Sequence, residues 1–508
     1  MNEITHSGDD IYTTYGRKFF LGKYGISSKD FKKITFKESL NYFFTGNTLP
    51  SNFIELNQLL FSDSEKFNDI ENLNSSDIFR LIGFALSGRY EKVWTDVKRK
   101  KNILTGTPFV DLYCEILLYS LLKNYEKLNV PMVSKSFWPD GKYFSVCLTH
   151  DVDEIRKTYQ WMTFPYKYAK KHDIRGVSNQ FISLFKKIKG EEPFWTFKKI
   201  IEIENKFNTK SSFFFLNETG KVKLFDRNTW RHAGRRYDFN DPKVAEIIRE
   251  LYIGGWDVGL HGSFYSYENG NKIIKEKKEL ENVLGNNVYG IRQHNLNLRI
   301  PETWLHQEKA GFEYDTTLGF NDCLGFRWGT CYPFRPFYAE QNKILKILEI
   351  PLIIEDLPFF RNKDPWKTGL EVIEMVEKYG GVLTLLWHHT VYNNHEFPEW
   401  GAAYEKIIDF CGKKNAWIAS AKEISDWWMN REKSSFDWVY EGNELKIKPN
   451  PRENYHFLNI YVPDKMSIKK IFNAQIIDVH KNLYSIKTNS LKEDEFVRVE
   501  LCEALYGN

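Results

Sequence analysis

The spacing of apolar positions changes character twice along the chain. Over about the first 135 residues, short apolar stretches alternate with polar turns. Helical spacing shows in Ile78-Phe79, Ile82 and Phe84-Ala85, and again from Phe109-Val110 through Leu117-Leu118 to Leu121-Leu122. This predicts a small α+β or mostly helical module. From Tyr143 onward, short buried runs alternate with amphipathic stretches. Tyr143 to Leu148, Ser211 to Leu216, Trp256 to Leu260, Val288 to Ile291 and Gly381 to Trp387 read as strands. Trp195 to Phe207, Pro242 to Leu251 and Glu276 to Leu284 read as helices, the second opened by a proline and the third closed by Gly285. Strand, helix, strand, helix implies a parallel sheet, closed or nearly closed into a barrel. From about Trp438 the period becomes two, in Glu444 to Lys448, Phe457 to Val462, Leu483 to Lys487 and Phe496 to Leu501, which predicts a small antiparallel sandwich. The expected organisation is an N-terminal accessory module over 1–135, a (β/α) barrel over 136–432 and a β-rich domain over 433–508.

The strand ends carry the chemistry. Val146 to Leu148 runs straight into Thr149-His150-Asp151-Val152-Asp153, a buried strand that stops in a histidine and two acids. Carboxylates two residues apart repel each other and lose hydration unless a metal, an arginine or a shared proton sits beside them. For an isolated pair, a solvated acidic loop is the plainer reading. The partners downstream change it, because His261, Arg292 and His294, and His388-His389 each follow a predicted strand. Strand ends of βα barrels converge on one face, where active sites are built. Any one of these histidines alone reads as a satisfied polar residue; together they read as a site.

Composition narrows the picture. A chain of 508 residues with 42% hydrophobic and 27% charged residues is ordinary for a globular protein, with length for roughly three domains. A net charge of +4, without a basic recognition motif, gives no reason to expect nucleic acid. The N-terminus lacks a signal-peptide pattern and no run approaches the roughly 20 apolar residues of a membrane span, so a cytoplasmic location is expected. The six cysteines form no CxxC pair and read as reduced, buried side chains. Nothing in the N-terminal module has ligand or catalytic spacing, and its expected role is structural. The segment from Glu154 to about Lys189 is aromatic and lysine-rich, with Asp173 the only acid between Arg156 and Lys189. It reads first as a helical insert packed over the barrel mouth with its lysines in water, and second as peripheral contact, through 156–189, with an anionic membrane or a lipid-linked substrate.

The ordered motifs resemble the polysaccharide deacetylase superfamily, the metal-dependent carbohydrate esterases of the NodB-homology type, over roughly residues 140 to 430. Thr149 to Asp153 is similar to a variant of that family's first motif, Gly259-Leu260-His261-Gly262-Ser263 to its second, Ile291-Arg292-Gln293-His294 to its third and Leu386-Trp387-His388 to its last. Gly311 to Phe320 and Gly325 to Thr330 further resemble a large branch of that family. The resemblance implies a distorted (β/α) barrel that holds a divalent metal, usually zinc, and removes N- or O-acetyl groups from a saccharide. It implies Asp153 and His261 as metal ligands, Asp151 as general base held by Arg292, and His388 as general acid, with Asp315 or Asp356 orienting it. The family's second motif continues to another histidine where this chain has Tyr265, so His294 is the expected substitute ligand and His150 the alternative. Two other functions are kept beside this one: a non-catalytic saccharide-binding protein on the same fold, and an amide hydrolase acting on a non-sugar C–N bond.

Overall fold

The computed structural model describes residues 10–26, 75–89, 91, 106–218, 237–450, 456–489, 491–492 and 495–504. The strands of its first three quarters are β1 Met132–Lys135, β2 Ser145–Val152, β3 Ser212–Leu216, β4 Asp257–Gly262, β5 Gly290–Gln293, β6 Tyr314–Asp315, a small hairpin of β7 Phe337–Tyr338 and β8 Lys343–Ile344, then β9 Leu348–Glu349, β10 Ile354–Glu355, β11 Val382–Leu386 and β12 Trp417–Ser420. Eight of them run in the order β10-β11-β2-β3-β4-β5-β6-β9, every neighbour parallel, and curl into a half-barrel. The ninth, β12, pairs with the first half of β2 on the edge that β3 takes over from Thr149. The expected barrel is therefore present in distorted, open form.

Thirteen α-helices lie in the described residues: α1 Ile11–Tyr24, α2 Ser75–Leu86, α3 Phe109–Leu128, α4 Gln160–Lys170, α5 Ile174–Ile188, α6 Phe197–Lys206, α7 Pro242–Ile253, α8 Gly270–Leu284, α9 Glu302–Lys309, α10 Asp356–Arg361, α11 Pro365–Tyr379, α12 Trp400–Lys413 and α13 Ala421–Lys433. Local signals set several of their ends. Asp241 accepts the Lys243 N–H ahead of Pro242, Gly285 closes α8 in the left-handed conformation, and Ser420 and Glu423 cap α13 reciprocally. The helices α1 to α3 share one apolar core with the barrel. A buried Lys23–Asp111 pair (3.0 Å) joins α1 to α3, and Asp111 also accepts from the Cys331 N–H (2.8 Å) and Thr330 Oγ1 (2.9 Å) of the barrel.

The C-terminal strands form two antiparallel sheets around a separate apolar cluster that includes Leu458 and Ile460 from one sheet and Ile447 and Val499 from the other. One strand of this sandwich, β1, comes from before the barrel and pairs with Phe457–Tyr461. The insert expected over 156–189 is a helical hairpin, α4 and α5, but its lysines are not alone in facing water. The helix α5 buries Gly176, Gln180 and Ser183 and exposes its large apolar residues.

Around the barrel, polar groups are satisfied at depth. Glu204 of α6 is fully buried and accepts from Ser211 Oγ (3.0 Å), Trp256 Nε1 (2.5 Å) and Tyr404 Oη (2.8 Å), with His150 Nε2 at 2.9 Å. It thereby ties α6 to β2, to the start of β4 and to α12. Glu204→Ala leaves four buried polar groups without their acceptor, and a loss of about 3–5 kcal/mol is expected in urea unfolding. A loss below about 1 kcal/mol would show that the network is not structural.

Candidate metal centre at the strand ends

Along β2 the side chains alternate faces, so Thr149 and Asp151 share one face while His150 takes the other. His150 is fully buried away from the acids, its Nδ1 2.7 Å from the Trp387 carbonyl and its Nε2 engaged by Glu204. That occupied position separates it from Asp153, and the alternative ligand of the sequence reading lies elsewhere. β2 runs on through Val152 and does not stop at the first acid, and the Tyr237 hydroxyl fastens its end to β3 by donating to the Val152 carbonyl (2.6 Å) and accepting the Leu216 N–H (2.7 Å).

Arg292, from β5, is fully buried on the other face. Its Nη1 donates to Asp151 Oδ1 (2.9 Å) and Thr149 Oγ1 (2.7 Å), its Nε donates to the Thr316 carbonyl (3.1 Å), and the guanidinium stands 4.9 Å from the Phe214 ring centre. His261, on β4, places Nδ1 2.9 Å from the Arg292 carbonyl. That contact holds a proton on Nδ1 and turns Nε2 toward Asp153 Oδ1 (3.3 Å) and Asp151 Oδ2 (3.5 Å). Burial opposes charge on His261, but Asp151 and Asp153 outweigh it and hold its pKa above the ordinary imidazole value.

His294 follows β5. Its Nε2 is 3.9 Å from Asp153 Oδ1 and its ring is centred 5.3 Å from that of His261. The chain turns there through Asn295 and Leu296 with φ of 58° and 54°, left-handed conformations that cost roughly 1 kcal/mol or more for residues with side chains. One donor atom each from Asp153, His261 and His294 lies within 4.8 Å of the others. One carboxylate oxygen and two imidazole nitrogens, one with its tautomer preset, form a donor set that fits zinc or a similar divalent ion and leaves coordination positions open.

On the other side of Asp153, His388 Nε2 lies 3.9 Å from Oδ2. His388 Nδ1 faces both oxygens of Asp356 at 3.0 and 3.1 Å, and its backbone N–H donates to Asp356 Oδ2 at 2.6 Å. Burial opposes its charge, yet Asp356 outweighs it and holds the pKa well above the ordinary value. Asp315 is not beside His388. Its carboxylate accepts from Thr317 Oγ1 and from Trp304 Nε1 (3.0 Å), and Trp304 also donates to Glu349 (2.9 Å). Burial raises the pKa of Asp315, as it does that of Glu349. The role first given to Asp315 therefore belongs geometrically to Asp356, which follows the end of β10. His389 turns inward, its Nδ1 3.3 Å from the Asp151 carbonyl across the sheet and its ring stacked on Phe197, and burial lowers its pKa to about 4.

Glu355 is a site residue that the motifs did not single out. It clusters with Asp356 and His388, and burial raises its pKa to about 8. The signal was available, since Glu355-Asp356 is a second acidic strand end like that of β2. Access is uneven: the side chains of Asp153 and His388 are 17% and 18% exposed, whereas those of Asp151 and Arg292 are 3% and 0% exposed. The mouth therefore opens over Asp153 and His388. A cleft of about 810 Å³ lies beside this mouth and is bounded by Ile155 and Thr196.

Gly262, after His261, lies so close to Gln293 Oε1 and Ser266 Oγ that an added Cβ would displace that hydrogen-bonded pair. Ser263 is held by buried Glu276, which accepts its N–H (3.1 Å) and its hydroxyl. Burial raises the Glu276 pKa to about 7.

No known family model matches the sequence, and no curated protein does. Solved structures do. A protein from Mycobacterium smegmatis assigned as a polysaccharide deacetylase is 18% identical over 61% of this chain and 98% of its own, with a TM-score of 0.39. Puue allantoinase is 13% identical over 57% of this chain and 92% of its own, with a TM-score of 0.37. A family CE4 pseudoenzyme from Bacillus anthracis is 11% identical over 56% of this chain and 66% of its own, with a TM-score of 0.28. Polysaccharide deacetylases and CE4 proteins, the group the motifs resemble, are thus among its structural neighbours. At such identity the likeness says nothing of activity.

Two outcomes are expected. Asp153→Ala, His261→Ala and His294→Ala should each abolish stoichiometric zinc binding in elemental analysis of dialysed protein, while His150→Ala should not; full occupancy in His294→Ala would remove that residue from the ligand set. Glu276, with a folded pKa near 7 against about 4.3 unfolded, holds its proton more tightly in the folded state, so stability should fall as pH rises from about 4.3 to 7 and level off above. Comparing urea unfolding at pH 5 and 8, Glu276→Gln should reduce that decline by something on the order of 3 kcal/mol; an unchanged decline would place its cause elsewhere.

Proposed function

We propose that the chain is a metal-dependent hydrolase that removes an acetyl group from a saccharide. The observation that carries this reading is the Asp153–His261–His294 cluster flanked on one side by an arginine-held carboxylate, Asp151, and on the other by an aspartate-held imidazole, His388. A divalent ion held by the three residues would polarise the acetyl carbonyl and activate water.

The chain's own residues supply the proton transfers. Asp151, held by Arg292, takes a proton from the attacking water. His388, with Nδ1 fixed by Asp356, donates from Nε2 to the leaving nitrogen or oxygen as the acyl C–N or C–O bond breaks, so that acetate and a free amine or hydroxyl depart. The motif resemblance supports an acetylated saccharide as substrate. Tyr265 in place of a second histidine in the same motif favours the other reading, a saccharide-binding protein without turnover, and the zinc measurement separates the two.

Asp151→Asn should retain zinc and lose about 100-fold or more in turnover of an acetylated oligosaccharide. His388→Ala and Asp356→Asn should lower turnover with little change in metal content, and Arg292→Lys should be poorly tolerated because a point charge does not reproduce the guanidinium's several directed bonds. Equal loss of metal and activity in Asp151→Asn would make Asp151 a ligand. Full activity in His388→Ala would remove it as the acid.

A further inference from the structure

The helix α5 of the hairpin has its polarity inverted. A surface helix normally turns apolar residues inward and polar ones to water. In α5 the inward face is Gly176, Gln180 and Ser183, and it is anchored by polar contacts: Lys157 Nζ donates to Gln180 Oε1 (2.6 Å) and to Glu396 Oε1 (2.6 Å), and Gln180 Nε2 donates to Glu396 Oε2 (3.0 Å). The outward face carries Ile174 (83% exposed), Phe181 (60%), Phe185 (66%) and Ile188 (74%), a single stripe by helical spacing, about 21 Å long. On α4, Met162 and Tyr166 are exposed as well. Large aromatic and branched side chains in one row on a surface mark contact with something other than water.

Charge identifies the occupant. Residues 156–189 hold nine lysines and arginines and one acid. Lys157 is buried, and Lys186 and Lys187 pair with Glu191 and Glu192. Lys170 and Lys171 stand just before the stripe and Lys189 just after it, all exposed. A second copy of the same hairpin would bring like charges together, whereas an anionic surface meets apolar row and flanking cations at once. The hairpin also walls the 810 Å³ cleft with Ser183 and Lys186, opposite Ile155, two residues beyond Asp153.

We infer that α4–α5 is a docking surface for an anionic lipid bilayer, into whose interface Phe181, Phe185 and their neighbours insert while the lysines meet the headgroups, placing the candidate site's mouth beside the membrane. This goes beyond the proposed hydrolysis and does not require it, since the test reads binding alone. The full chain would be sedimented with vesicles of phosphatidylcholine alone and of phosphatidylcholine with about 30% phosphatidylglycerol, at low and high salt. Binding to the anionic vesicles is expected, weakened by salt. It should fall at least about tenfold for Phe181→Ser with Phe185→Ser, and by about 100-fold for Lys170→Gln, Lys171→Gln and Lys189→Gln together. These positions are exposed, so both variants should keep the wild-type melting temperature, and each tests a different half of the inference. Failure of the wild type to bind anionic vesicles, or equal binding to neutral ones, would overturn it. So would a concentration-dependent dimer in analytical ultracentrifugation that the phenylalanine variant abolishes, which would give the stripe to a second copy of the chain.

Discussion

Four acids, Asp151, Asp153, Glu355 and Asp356, meet at one half-barrel mouth, where burial raises the pKa of Glu355 to about 8. Positive charge built into the protein offsets the crowding of the others, and the guanidinium of Arg292 supplies part of it from the floor. Its directed bonds fix Thr149 and Asp151 on β2 and the Thr316 carbonyl beyond β6, so one side chain spans strands from both sides of β5. Its backbone carbonyl, in turn, sets the His261 tautomer. The ligand geometry, the placement of Asp151 and the register of the strand ends therefore share a dependence on one buried cation. The Asp356–His388 pair plays the matching part at the rim.

Much of this could be read from the residues, and the reason is periodicity. Strand ends that deliver His, Asp or Arg after a buried run are visible without coordinates, and the sheet order then brings them together. Five of the half-barrel's strands, β2 to β5 and β11, fall where the apolar runs predicted them, with edges moved by a few residues: β2 extends through Val152 and β4 through Gly262, while the apolar runs do not predict the short β6, β9, β10 and β12. What could not be read is which way a given side chain turns once the strand is formed. His150 stands behind His294 as the substitute ligand in the sequence reading, but the residues alone do not show where either ring turns. The phase of β2 sends the first into a polar pocket with Glu204, while a left-handed turn keeps the second beside Asp153.

The choice between Asp315 and Asp356 was closed to sequence reasoning for a related reason. Both follow short apolar runs, but β6 carries Asp315 against Trp304 and Glu349, whereas the end of β10 lies next to β11 and so next to His388. Neighbourhood in the sheet decides the matter, and order along the chain does not reveal that β10 and β11 pair at one end of the path. The polarity of α5 was hidden in the same way. Its two faces are plain from the sequence, but an amphipathic stretch is silent about which face the protein takes, and here a buried Lys157–Glu396–Gln180 network takes the polar one.

The strand β1 has a consequence for the order in which the molecule can be made. Residues 132–135 leave the N-terminal helices, complete a sheet with Phe457–Tyr461, and only then does the chain enter the half-barrel at β2. The barrel is thus held between the two halves of a clasp separated by more than three hundred residues. On a ribosome the half-barrel can gather its strands as they emerge, but β1 has to wait, with an unpaired edge, until residues 457–461 have been synthesised. The sandwich closes only after the half-barrel has been made, and fastens the segment that enters it to the segment that leaves it.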